Sequence, residues 1–506
     1  MKKDILVLLL ILMPLRIYAS DNLMLYSLDD NEHTVSFPDG SIFHIDDSLL
    51  NIVWPNASIK PVSWTAYRGV FSHTLRLHFT PNNTSIPYYL IIVENSLYNS
   101  ISNEIKTYAE DAHAIYGYGI YVETVQYPTP EDVKSLIVSY SNNLCGVFFV
   151  GDVGECMFEI SNDHNLYGYK NWPCDLYYTD LDGIWTDSDS NGIYDGHSGD
   201  VSPEIFLGRL STVGLSSLET ETDLIKRQLQ KSHNYWWKNS YHTSNTVLNY
   251  IDQDWNDWFF PSEISPVFSS GNVTDIRYGY NSDFSVFDYL SRISNSNYGF
   301  THLSAHSEPI SHQFTNGYVW TFNIEEINSY NYAYNLNCCS ACNWTYEGSV
   351  GYLRGAYLFN NGRTMTVVGD TKIGGMDYQE EFYSQFPTNH IGNAFLNWRI
   401  NVYGNYYDAS VVSWIYGLTI LGDPIIDLRY EVSNKCVNNL VLTSFPSNNT
   451  SNLILYKAGN SITVSGNFTI PQGVHVIFDA PNVIFDSNFT CPIGASFETR
   501  NEGCEL

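Results

Sequence analysis

Basic residues are scarce in this chain. Its 24 lysines and arginines face 54 aspartates and glutamates across 506 residues, a formal net charge of −30. Phosphate contacts need basic patches, so this balance argues against nucleic-acid binding and fits an acidic protein of soluble type. Cysteine is also sparse: nine residues are scattered through a chain that is neither small nor densely crosslinked, which argues against a disulfide scaffold. After the first twenty residues no apolar run is long enough to span a bilayer. What is present is 44% hydrophobic and 15% aromatic residues, enough to bury a large core.

The N-terminal "MKKDILVLLLILMPLRIYAS" joins two lysines, an apolar run and a small-residue end near Ala19 and Ser20. It reads as a secretory signal peptide over residues 1–19, so the mature protein is expected outside the cytoplasm, secreted or at the cell surface. An odd cysteine count leaves at least one thiol unpaired within the chain. Three of the nine crowd into "NLNCCSACNWT", at Cys338, Cys339 and Cys342.

Residues 20–84 read as a β-rich segment or propeptide, with "HTVSFPDGSIFHI" alternating around a Pro-Asp-Gly turn. From 85 to 430 the pattern is α/β. The runs "YYLIIVE", "GIYVETV", "GVFFVGDV" and "EIFLGRL" have the composition of strands buried on both faces. Between them Ile101, Ile105, Tyr108, Ala112 and Ile115 keep helical spacing, and Pro130 opens a second helix. A Trp- and Asp-rich stretch follows, then a helix in "DFSVFDYLSRI" and strands in "GFTHLSA", "YAYNLN" and "MTVVGDT". A last helical pair is expected over "IGNAFLNWRINVYG" and "SVVSWIYGLTILGDP". Such a series predicts a mostly parallel sheet flanked by helices. Residues 431–506 read as short strands between Gly, Asn and Pro turns, a small sandwich or a solenoid-like cap.

Ligands of open parallel sheets sit at the carboxyl ends of the strands. His306 follows one apolar strand in "GFTHLSAHS", and Cys338 and Cys339 follow the next in "YAYNLNCCS". If those strands are neighbours, an imidazole and a thiol share one edge, as a nucleophile and its proton carrier require. The Ser307 N–H, or those after the cysteine, could line an oxyanion hole. The plainer alternative is a structural histidine and core cysteines. A zinc site from Cys339, Cys342, His306 and His312 is a third option, without a second ligand pair at finger-like spacing.

An ordered series of segments carries a resemblance. "FFVGDVGE", "CDLYYTDLDGIW", "PEIFLGRL", "THLSAHS", "CCSACNWT" with "GAYLFNNG", "TVVGDTKIGGM" and "GLTILGDPIIDLR" resemble the gingipain-type cysteine peptidases, over about residues 85 to 430. The resemblance implies a caspase-like fold and a cysteine endopeptidase acting on protein or peptide substrates, with no redox cofactor. It maps the catalytic His onto His306 and the Cys onto Cys339, with Trp344 as the aromatic five positions on and Cys342 as runner-up. The residue after the His is usually Gly and here is Ser307, whose N–H can still serve the oxyanion hole. The resemblance also puts Asp175 in the pocket for a basic side chain, implying a preference for Arg or Lys. The rival reading is a non-catalytic surface or adhesion protein on a peptidase scaffold.

Independently, "DSDSNGIYD" places Asp187, Asp189 and Asn191 at positions 1, 3 and 5, Gly192 at 6, the Ile193 carbonyl at 7 and Asp195 at 9 of an EF-hand-type loop. That spacing predicts a structural Ca²⁺, although Ser198 stands where a bidentate Glu is usual.

Overall fold

The structure is a computed structural model. It describes residues 70–506 apart from 213–214, 216–218, 243, 296, 346–352 and 407–408, together with a short upstream hairpin, Thr34–Ser36 paired with Ile42–His44. The expected leader lies outside the described residues.

Eleven strands form the central sheet: β1 (Ser72–Phe79), β2 (Tyr88–Glu94), β3 (Gly119–Gln126), β4 (Leu144–Val150), β5 (Phe206–Leu210), β6 (Thr246–Ile251), β7 (Asn272–Arg277), β8 (Phe300–Ser304), β9 (Ala333–Asn337), β10 (Thr366–Asp370) and β11 (Leu418–Gly422). Their spatial order is β7-β6-β8-β9-β10-β11-β5-β4-β2-β3-β1. Strands β7, β6, β8, β9 and β10 run parallel to one another. So do β11, β5, β4, β2 and β3. The two blocks meet antiparallel at β10–β11, and β1 adds an antiparallel edge. The sheet is therefore mostly parallel, with helices on its faces. It starts at β1, before residue 85, where β1 pairs with the backbone N–H and C=O groups on the outer edge of β3.

The central runs are apolar on both faces because helices cover both. In β2, Tyr89 through Val93 are all fully buried. Helix Asn95–Tyr116 buries Ile101, Ile105, Tyr108, Ala112 and Ile115 and stops at Gly117, whose φ of 74° suits a left-handed cap. Helix Pro130–Ser139 starts with a reciprocal Thr129–Asp132 capping box. Two expectations are corrected. "LTILG" is strand β11 and not helix: a short apolar run has no periodicity to tell the two apart, and Gly417 and Gly422 bound it. Strands β6 and β7 were hidden in the Trp- and Asp-rich stretch, where polar residues such as Asn249 and Asp275 interrupt the apolar pattern.

From Asn439 onward the chain forms two parallel three-strand sheets, Asn439–Leu442/Ser461–Val464/Asn482–Phe485 and Leu453–Lys457/His475–Asp479/Ser496–Arg500. Stacked rungs of this kind make a solenoid, closed around Ile462, Val464, Phe468, Val476 and Phe478. The Cys436–Cys504 disulfide ties its last residues back to its first. Arg500 pairs with Glu110 at 2.7 Å, and His233 bridges Asp111 (2.6 Å) and Glu502 (3.0 Å), bolting the solenoid onto the helices over the sheet. Among the described residues no helix is long and apolar enough to cross a membrane.

Candidate active site

Strands β8 and β9 are adjacent and in register, with Ser304 opposite Asn337. His306 lies two residues beyond Ser304, and Cys339 two residues beyond Asn337. The imidazole and the thiol therefore leave the sheet from neighbouring strands at the same level. The loop after β6 ends at this edge too, since the Asp252 N–H donates to Ser304 O at 2.9 Å.

His306 opens an antiparallel meander, His306–Glu308, Ser311–Phe314 and Gly317–Trp320. Asp252 anchors it by accepting hydrogen bonds from the Thr315 N–H (3.0 Å) and hydroxyl (2.7 Å). The His306 ring is about half exposed, with its Nε2 2.8 Å from Asp254 Oδ2 and the Trp255 ring edge-on at 4.7 Å. Asp254 is a site residue that sequence reading missed. It follows a strand end by the same rule that picked out His306, but β6 itself escaped the sequence pattern.

The three crowded cysteines have different surroundings. Cys338 is buried; its thiol donates to Leu303 O at 3.5 Å, and burial pushes it up to about 12. Cys342 is fully buried against Gly369, where a Cβ would stand 2.8 Å from its sulfur. Cys339 alone of the three is partly exposed. Alternation along the strand end turns it away from Cys338. Burial raises its thiol above the ordinary value, and the neighbouring Asp370 adds to this; a Gly374 N–H to the sulfur and the Lys372 charge oppose it.

Backbone bonds from β10 fix the turn that presents Cys339. The Ser340 N–H donates to Lys372 O (2.6 Å), with Ser340 at φ 54°, and the Cys342 N–H donates to Asp370 O (2.9 Å). Trp344 ends the turn inside the core, its Nε1 3.0 Å from Glu155. Beneath lie the buried Lys372–Asp163 pair (2.9 Å) and Asp370, whose carboxyl burial pushes up to about 7. Among the described residues no hydrogen bond joins His306 to Cys339.

Asp175 is placed differently from expectation. It is 3% exposed and Arg209 1%, and the two form a bidentate ion pair: Arg209 Nη2 to Oδ1 at 2.6 Å and Nε to Oδ1 at 3.2 Å. Thr419 donates to Oδ2 at 2.8 Å, and Arg209 also reaches Gly154 O at 3.0 Å. With both oxygens held inside the chain, Asp175 has none to offer a basic substrate side chain; its role is to neutralise a buried arginine. The zinc alternative also fails. His306 turns to Asp254, and His312 is buried between Ser307 and Tyr357, so neither shares a centre with Cys339 and Cys342.

In the acidic loop, the Asp187 carboxylate accepts the N–H groups of Asn191 (3.2 Å) and Gly192 (2.8 Å), and Gly192 takes φ 89°. Asp189 also accepts from the Asn191 N–H at 3.2 Å, and Asp195 from the Ser188 N–H at 3.1 Å. An all-oxygen donor set on a loop curled around its first carboxylate suits a hard cation such as Ca²⁺. The departure is Asp195, which turns to Ser188. Among the described residues, the acidic groups whose oxygens converge are Asp180, Asp182 and Glu204, outside this loop.

The profile of peptidase family C25 matches residues 82–429. No curated protein sequence matches the chain. Among solved structures, it is similar to gingipain R, titled an Arg-specific cysteine proteinase, at 14% identity and a TM-score of 0.49, covering 72% of this chain and 84% of that one. A second structure, titled simply a protease, is 14% identical at a TM-score of 0.48, covering 68% and 79%. The complex of the pro- and mature domains of RgpB from Porphyromonas gingivalis is 12% identical at 0.49, covering 70% and 84%. By the family match over most of its length, the chain belongs to peptidase family C25, the gingipain family of cysteine peptidases.

Proposed function

We propose that this chain is an exported cysteine endopeptidase with Cys339 as nucleophile and His306 as general acid and base. The observation that carries the reading is the departure of His306 and Cys339 from adjacent parallel strands at one register level. A substrate peptide would lie across the ends of β8 and β9. The Cys339 thiol gives its proton to His306 as sulfur attacks the carbonyl carbon, and the raised thiol pKa means that this transfer accompanies substrate binding. Asp254 holds His306 Nε2, which leaves Nδ1 to carry the proton. Protonated His306 then donates to the leaving amine, the C–N bond breaks, and water hydrolyses the thioester.

Glu308 and Ser311 close a two-residue turn over Pro309 and Ile310, and Ser307 faces His312 as the next pair. Ladder alternation then directs the Ser307 N–H away from its partner strand, where it could meet the oxyanion. Export rests on the N-terminal leader pattern alone. A preference for Arg or Lys finds no carboxylate at Asp175, so the reading stops at peptide-bond hydrolysis. Calcium belongs to the same reading: Asp187, Asp189, Asn191, the Ile193 carbonyl and Asp195 would hold it as a structural ion.

The test is cleavage of fluorogenic peptides bearing Arg, Lys, Asn, Asp or an apolar residue before the scissile bond, with iodoacetamide labelling in parallel. Wild type and Cys342→Ala should cleave; Cys339→Ala should not cleave and should lose the activity-linked label. Cleavage by Cys339→Ala would overturn the assignment. A wild type that cleaves nothing, even after limited proteolysis, would favour the adhesion-protein reading.

A further inference from the structure

A chain of buried hydrogen bonds runs from the residue after His306 into the helices behind the meander. Ser307 follows His306. Ser307 Oγ is 2.6 Å from His312 Nδ1, His312 Nε2 is 3.0 Å from Tyr357 Oη, and Tyr357 Oη is 2.7 Å from Tyr289 Oη. His312, Tyr357 and Tyr289 are fully buried, and burial pushes His312 down to about 3, so its ring is neutral, with one donor and one acceptor nitrogen.

One set of proton positions satisfies every contact. Tyr289 donates to Tyr357, Tyr357 to His312 Nε2, and His312 Nδ1–H to Ser307 Oγ. The chain thus starts on helix Val286–Ile293, passes through helix Leu353–Phe359 and ends in the meander beside His306.

We infer that His312 is a positioning residue: through Ser307 it locks the His306 meander onto the helices behind it and aims the Ser307 N–H. Neither Ser307 Oγ nor His312 needs to touch substrate. A neutral imidazole suits the task, because it can accept from Tyr357 and donate to Ser307 at once, with no charge to desolvate. The inference rests on the assignment of His306 and Cys339, but its geometry can be read without turnover.

The experiment compares Ser307→Ala, His312→Ala, His312→Gln and Ser307→Ala/His312→Ala, with melting temperatures recorded for each. Hydrogen exchange at residues 305–308 is expected to quicken about tenfold in both alanine variants. On the best-cleaved peptide, kcat should fall about tenfold or more with KM within about twofold, since misplacement by a fraction of an ångström is felt in the transition state. The double variant should be no worse than the worse single one, and His312→Gln should recover most of the loss. Unchanged exchange at residues 305–308, additive losses in the double variant, or a fall in melting temperature without any kcat change would each overturn the inference. Loss of cleavage by wild type itself would fail the peptidase assignment and leave the exchange result to decide on the lock.

Discussion

Removing the Asp175 carboxylate separates two roles that sequence alone could not. In the structure the side chain neutralises Arg209, which is fully buried between Phe149 at 5.0 Å and Trp344 at 4.8 Å. Asp175→Ala would leave a guanidinium with Gly154 O as its remaining hydrogen-bond partner and only the Glu155 charge, to which it makes no hydrogen bond, to offset it. Breaking a buried pair by deleting one partner costs about 3–5 kcal/mol. An unfolding entropy of roughly 0.9 kcal/mol/K, for some 430 ordered residues, converts this to a drop in Tm of about 3–5 °C. Replacing both partners with apolar residues, as in Asp175→Leu/Arg209→Met, should return most of that loss. The assay is differential scanning calorimetry of wild type, Asp175→Ala, Arg209→Met and the double variant, with kcat/KM on Arg, Lys and apolar peptides alongside. A single variant with unchanged Tm but a hundredfold loss on Arg peptides alone would refute the reasoning and return Asp175 to the substrate pocket.

Other outcomes follow from the same structure. His233 is raised to about 9 by Asp111 and Glu502 against the opposing effect of burial, so its stabilisation is complete below about pH 6.5 and is lost as pH rises through 9. That is about 3 kcal/mol over the window, and the lowered Glu502 reports the same pair and is not added. Thermal melts from pH 6 to 10 should show the slope in wild type and not in His233→Gln. Cys504→Ser opens a crosslink spanning 68 residues, worth up to about 4 kcal/mol in unfolded-chain entropy, and should lower the Tm of the solenoid first. Because burial raises the Cys339 thiol, its alkylation rate should still be climbing above pH 9; a plateau near neutrality would contradict the burial seen here. Calcium at about a hundredfold over its dissociation constant should stabilise the chain by about 2.7 kcal/mol, and Asp187→Ala should abolish the shift; no calcium dependence of Tm would dismiss the ion.

Much of the architecture could be read from local pattern. The apolar runs of β2, β4 and β5 announced strands covered on both sides, and Ile101, Ile105 and Tyr108 announced the helix between them. The stretches that escaped did so for stated reasons: "TVLNYI" carries a buried Asn249 paired with Asp275 (2.6 Å), and "LTILG" is too short to show a period. With β6 went Asp254, the partner of His306.

The sequence by itself determined much of the strand–helix order and put His306 and Cys339 just past two strands, because periodicity and strand ends are local properties. Tertiary structure decided which neighbours those residues meet. It left Cys339 partly exposed and buried Cys338 and Cys342, although all three thiols are chemically alike. It spent the Asp175 carboxylate on Arg209, 34 residues away, and set Ser307 against His312 and Tyr357. Partnerships of this kind depend on which strands and helices become neighbours, and local spacing carries no record of that.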